Sequence, residues 1–266
     1  MQFPPVKEKA AEFNIPVFQP TKMKDGTAYG ILKELDPELI IVVAYGKIIP
    51  QDILDLPKYG CVNIHASLLP RYRGAAPIQW CVLNGEKKSG VTSMQMDSGL
   101  DTGDMLISRE IEIGENETAG ELHDRLSALG ADVLEETLEA LKKGELKPVE
   151  QNDAEFTYAP MLSKELSPVD WSLSAREVHN KIRGLSPWPS ATAKLGGKTV
   201  KLLRSVLTEE RGTKPGEIVR ADKRLLVACG DLRCIEILQL QAENKKAMPA
   251  ADYLRGNHVE TGSMFE

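Results

Sequence analysis

Along the first half of the chain, short apolar runs alternate with stretches at helical spacing. This is the order expected of a parallel sheet with helices on its faces. Leu39-Ile-Ile-Val-Val43 is a continuous, largely β-branched run and predicts a strand buried on both faces. Cys61-Val-Asn-Ile64 and Val91 to Met96 predict two more strands, with a short helix over Ala75 to Asn84 between them. Met105 to Ile113 alternates, with Met105, Ile107, Ile111 and Ile113 on one face, and predicts a longer, partly exposed strand. Thr118-Ala-Gly-Glu121 has the form of a capping box and leads into Leu122, Leu126, Leu129, Val133, Leu138 and Leu141 at helical spacing. Lys142, Lys143 and Gly144 end that helix.

Periodicity is lost from Glu145 to Pro160, which predicts a linker between a first domain over residues 1–144 and a second over 161–266. Beyond it, Ser174-Ala-Arg-Glu177 caps a short helix that stops at Gly184, and Pro187-Trp-Pro189 predicts an extended crossing. Short strands follow at Thr199 to Leu207, Glu217 to Arg220, Leu225 to Cys229 and Cys234 to Gln241. Their spacing, with glycine and charged turns, suggests a small β-barrel of the oligonucleotide-binding (OB-like) type.

Composition narrows this picture only modestly. At 42% hydrophobic and 27% charged, 266 residues can pack one large core or two ordinary ones, so disorder is excluded. No stretch approaches the ~20 apolar residues of a membrane span. The start, Met1-Gln-Phe-Pro-Pro5, lacks the basic and apolar parts of a signal peptide, so a cytoplasmic setting is expected. Cys61, Cys81, Cys229 and Cys234 show no paired spacing and read as buried thiols rather than a zinc site or disulfides. The net charge of −6 divides into −10 over residues 1–160 and +4 over 161–266. The basic second part points toward an anionic partner such as nucleic acid.

Asn63 and His65 stand two apart at the end of a predicted strand, so an amide and an imidazole leave the same face together. In an open parallel sheet, the crevice beyond the strands' carboxyl ends is where ligands bind. Pro70 and Gly74 forbid a continuous helix after them, so Ala66 to Pro77 is expected to be a shaped loop. A second loop, Met96-Asp-Ser-Gly-Leu-Asp-Thr-Gly-Asp-Met105, follows another strand. It fails the calcium-loop pattern, since Gly99, Thr102 and Ser108 occupy positions that need a ligand, a glycine and a glutamate, and no metal is expected there.

Asn63-Ile-His65-Ala-Ser-Leu-Leu-Pro70, Arg73-Gly-Ala-Ala-Pro-Ile78, Met94-Gln-Met-Asp97 and Gly99-Leu-Asp-Thr-Gly-Asp104 together resemble the methionyl-tRNA formyltransferases. The likeness runs from Val17-Phe-Gln-Pro20 through Val43-Ala-Tyr-Gly46 to Leu254-Arg-Gly256. It implies a doubly wound, Rossmann-like α/β catalytic domain followed by the small barrel. The family's catalytic Asn, His and Asp fall on Asn63, His65 and Asp101, and its folate-contacting loop on Ser67, Leu68, Leu69 and Pro70. The implied donor is 10-formyltetrahydrofolate, the implied acceptor is the amino group of initiator methionyl-tRNA, and a monomer is expected. Physically, a formyl oxygen gaining negative charge needs donors already aimed at it, which Asn63 and a protonated His65 supply. A carboxylate at Asp101 favours the imidazolium and can accept the proton shed by the amine.

Members of that family usually begin with a strand, a helix, a second strand and a basic loop ahead of the stretch that here is Pro5-Val-Lys7. At least one β-α-β unit of roughly 30 residues or more is therefore expected to be missing, leaving strand edges unpaired, and a misplaced start codon or an incomplete gene explains it best. Two other functions compete. One is formyl transfer to an amino-sugar nucleotide or to glycinamide ribonucleotide; the other is an inactive remnant that only binds tRNA. The basic second part favours a tRNA acceptor over a small one.

Overall fold

The computed structural model describes residues 3–266. Met1 and Gln2, which open the segment read as lacking a signal peptide, lie outside the described residues. The first part runs α1 (Pro5–Glu12), α2 (Thr27–Leu35), β1 (Ile40–Val42), α3 (Gln51–Leu54), β2 (Cys61–His65), β3 (Arg73–Gly74), α4 (Pro77–Leu83), β4 (Lys88–Gln95), β5 (Met105–Glu112) and α5 (Ala119–Lys143). After β6 (Tyr158–Ala159) come α6 (Ala175–Gly184), β7 (Ala191–Leu195), β8 (Lys198–Arg211), β9 (Ile218–Ala221), β10 (Leu225–Ala228), β11 (Arg233–Ala242), β12 (Met248–Pro249) and α7 (Ala250–Gly256). No helix among the described residues is long and apolar enough to cross a membrane.

The first sheet has the order β1-β2-β4-β5. It is parallel only in part: β1 and β2 are parallel, as the alternating pattern predicts, whereas β2 pairs with β4 and β4 with β5 in antiparallel fashion. For β4 and β5 the reason is local. Residues 96–104 form a short loop that turns β4 straight back into β5, a connection open only to antiparallel neighbours. The strand predicted over 39–43 also departs from expectation, because Ile40, Ile41 and Val42 are half-buried and Val43 is exposed. β1 pairs only with β2 and forms an edge of the described sheet, so it lacks the neighbour that a fully buried strand has.

α5 begins as its sequence predicts. Thr118 Oγ1 accepts from the Glu121 amide, the Glu121 carboxylate accepts from the Thr118 amide, and Gly144 ends the helix in the left-handed conformation. Its Leu122, Leu126 and Val133 pack with Ile64, Ile78, Val82, Val91 and Ile107 on one side of the sheet. Cys61 instead packs with Ala28, Ile53 and Leu54 of α2 and α3. Alternation along β2 therefore turns Asn63 and His65, like Cys61, away from α5.

The second part is a curled antiparallel sheet of order β7-β8-β11-β10-β9, with β12 paired to β11. The C-terminal residues bridge its two edges: Phe265 pairs with Leu195 of β7, and Met264 with Glu217 beside β9. A core of Val178, Ile182, Leu202, Leu225, Ile235 and Leu240 lies between this sheet and α6. The extended crossing expected at Pro187-Trp-Pro189 is instead a tight turn with cis peptide bonds before both prolines. The fixed φ of proline suits a turn as well as an extended segment, and here Ser190 Oγ closes the turn on the Pro187 carbonyl at 2.6 Å. All four cysteines are free and buried.

Candidate active site

β2 ends at His65, and its pleat places the Asn63 and His65 side chains on one face. His65 is buried, and its Nε2 lies 2.9 Å from the Tyr72 carbonyl oxygen. A carbonyl only accepts, so Nε2 carries a hydrogen, and Nδ1 is the ring nitrogen left to face Asp101. That Nδ1 is 3.7 Å from Oδ2 of Asp101. Asp101 reaches this position from the loop after β4, with its backbone at φ 54, a left-handed conformation that costs energy for a residue with a side chain.

Asp101 Oδ2 also accepts from the backbone amide of Gly74 at 2.8 Å, while Oδ1 takes no hydrogen bond from the described residues. The half-buried Asn63 side chain likewise has no hydrogen-bond partner among the described residues. An amide, an imidazole nitrogen and a carboxylate oxygen are thus left with hydrogen-bonding capacity for a substrate.

The loop after β2 is held from inside. Ser67 Oγ donates to the Arg71 carbonyl at 2.7 Å, and Thr92 Oγ1 donates to the Ser67 carbonyl at 2.8 Å. Of Ser67 to Pro70, Ser67 and Leu69 are buried, so Leu68 and Pro70 carry the side-chain exposure of this segment. Asp97 ties down the second loop by accepting from the Gly99 amide at 2.9 Å and from Thr102 Oγ1 at 2.7 Å.

Sequence reasoning did not find Gln151, whose side chain is buried beneath the second loop. Its Nε2 donates to the carbonyls of Asp101 and Gly103, at 2.8 and 2.7 Å. Its Oε1 accepts from Nε of the buried Arg73 at 2.9 Å, and Arg73 Nη2 donates to Asp153 at 2.8 Å. Gln151 belongs to the stretch read as a linker, yet that stretch packs closely: Val149 pairs with Met105, and β6 lies parallel to β3. No periodicity marks such a residue, because its partners are 48 to 78 positions away.

Residues 2–138 match the family described as Formyl transferase, and residues 161–258 match Formyl transferase, C-terminal domain. Among solved structures, a sugar 3N-formyl transferase, WlaRD, aligns with TM-score 0.70 at 22% identity, covering 91% of this chain and 82% of that one. HypX from Aquifex aeolicus, in complex with tetrahydrofolic acid, aligns with TM-score 0.69 at 22% identity over 97% of this chain and 47% of its own. At that identity, the two show a shared fold. Sequence relatives are much nearer. The methionyl-tRNA formyltransferase of Alkaliphilus oremlandii is 49% identical over 98% of this chain and 84% of its own length. That of Geobacter sulfurreducens is 51% identical over 98% of this chain and 82% of its own. With both formyl transferase matches in order along the sequence and about half of all positions identical across nearly its whole length, the chain belongs to the methionyl-tRNA formyltransferase family.

Proposed function

We propose that the chain transfers the formyl group of 10-formyltetrahydrofolate to the amino group of methionine on initiator tRNA, with Asn63, His65 and Asp101 carrying the chemistry. The observation that carries this reading is the meeting of His65 Nδ1 and Asp101 Oδ2 at 3.7 Å beside an Asn63 amide with no partner among the described residues. The donor set fits a formyl carbonyl. As the amine nitrogen adds to the formyl carbon, the oxygen gains charge, and the Asn63 amide and a proton on His65 Nδ1 are the groups placed to stabilise it. Asp101 faces that proton and offers Oδ1 to the hydrogen that the amine must lose. When the bond from the formyl carbon to the folate nitrogen breaks, that nitrogen takes the proton that the amine gave up to Asp101, so the site ends in the protonation state in which it began.

Ser67, Leu68, Leu69 and Pro70 form the folate side of this reading, with Leu68 and Pro70 as the side chains left partly exposed. We divide the chain into a catalytic domain over 1–144, a connecting segment over 145–160 and a tRNA-facing domain over 161–266. The charge of +4 on the last part, against −10 on residues 1–160, supports that division of labour. The reading takes the protein to be a cytoplasmic monomer; its free thiols and the origin of Asn63, His65 and Asp101 in one chain agree with that.

Single-turnover formylation of methionyl-tRNA tests the assignment. Asn63→Ala is expected to slow transfer by the ~10²–10³ that follows loss of one oxyanion donor. Asp101→Asn should be as harmful while leaving folate affinity, read by fluorescence titration, nearly intact. Full turnover in either variant, or a defect confined to folate binding, overturns these roles.

A further inference from the structure

The backbone of Asp101 holds a left-handed conformation at φ 54, so the direction of its carboxyl depends on whatever holds that backbone in place. One side chain does this on two sides. Gln151 Nε2 spends its two hydrogens on the carbonyls of Asp101 and Gly103, which fixes the far end of the loop. Gln151 Oε1 accepts from Arg73, the residue before Gly74, and the Gly74 amide is the donor that grips Asp101 Oδ2. Both anchors of Asp101, one on its main chain and one on its carboxylate, are therefore referred to a single carboxamide that does not touch the reacting groups. Only a carboxamide meets this demand, with two donors toward carbonyl oxygens and an acceptor toward a guanidinium.

We propose that Gln151 is a positioning residue for formyl transfer, holding the Asp101 carboxylate against His65; the proposal rests on the reading of Asp101 given above. Its contribution is to transfer itself rather than to folate binding, because its contacts are with the loop of Asp101 and with Arg73, not with Ser67 to Pro70.

A double-mutant cycle on the full chain tests this by single-turnover formylation in wild type, Gln151→Leu, Asp101→Asn and the double variant. Gln151→Leu is expected to lower the transfer rate about 10- to 100-fold, as misplacement of a catalytic group does, with the folate KM little changed. In the Asp101→Asn background the same substitution should cost less than about twofold, since the group it positions is already gone. An equal proportional loss in both backgrounds, or no loss in wild type, overturns the proposal. Full turnover in Asp101→Asn alone overturns the reading on which it stands. Should Gln151→Leu fail to fold, Gln151→Glu keeps the shape. Its rate relative to wild type should rise as pH falls, because a protonated carboxyl regains one donor, and a ratio independent of pH overturns the proposal.

Discussion

Gly103 has no room for a side chain, since a Cβ built on it would lie 1.7 Å from the carbonyl oxygen of Gln95. That oxygen is backbone at the end of β4, so the loop rather than the strand has to give. Gly74 is confined twice, by φ 117 and by the Ala159 carbonyl oxygen and the Tyr158 ring, each 2.7 Å from its would-be Cβ. Both glycines flank Asp101, one along the chain and one through its amide hydrogen bond. Gly103→Ala is therefore expected to move Asp101 away from His65 and to lower the transfer rate by about 10²-fold, the cost of roughly an ångström of misplacement. Formylation rates of folded Gly103→Ala, with its transition temperature recorded alongside, check this. An active variant would mean that the loop tolerates the shift.

The elements that the sequence showed clearly are those whose stability is written into neighbouring positions. α5 is the best case, because both its ends and its buried stripe follow from local rules. Thr118 Oγ1 caps the Glu121 amide at 3.2 Å and the Glu121 carboxylate answers at 2.9 Å. Thr118→Ala is expected to destabilise the fold by about 0.5–2 kcal/mol, the usual cost of losing such a cap, as measured by denaturant unfolding. Unchanged stability would show that Glu121, which also pairs with Arg204, holds the turn without it. β2 and the pairing of Asn63 with His65 were readable for the same reason, since period-two alternation puts them on one face. β7 was missed because Ala191-Thr-Ala-Lys-Leu195 is short and poor in strand-forming side chains, and it exists through pairing with β8. β8 runs on to Arg211, past the charged stretch where alternation fades, because β11 pairs with it there. The approach of Asp101 to His65 and the hydrogen bonds of Gln151 are tertiary features, and no local pattern encodes them.

Across the whole chain, the two parts meet at contacts that depend on protonation. His179 of α6 is fully buried, with Nδ1 2.9 Å from Ser205 Oγ of β8 and Nε2 3.0 Å from the Glu115 carbonyl in the loop between β5 and α5. Beside it, Arg183 reaches the Glu117 carbonyl at 3.2 Å, and Arg176 pairs with Glu115 at 3.0 Å. Burial above all holds the His179 pKa below its ordinary 6.5; the hydrogen bond to the Glu115 carbonyl opposes it, and the nearby Arg183 and then Arg176 add to the lowering. The neutral ring suits its partners, donating from Nε2 to a carbonyl and accepting at Nδ1 from a hydroxyl. A depressed folded value means that the unfolded chain binds the proton more readily, so stability rises with pH across the gap. The contribution of His179 is therefore complete above 6.5 and is lost as pH falls from there toward the lower folded value. His179→Gln removes this titration, so its transition temperature should fall less between pH 7 and pH 5.5 than that of wild type, even where it starts lower. Parallel slopes for the two proteins would place the acid sensitivity elsewhere and leave the contact between the two parts indifferent to pH.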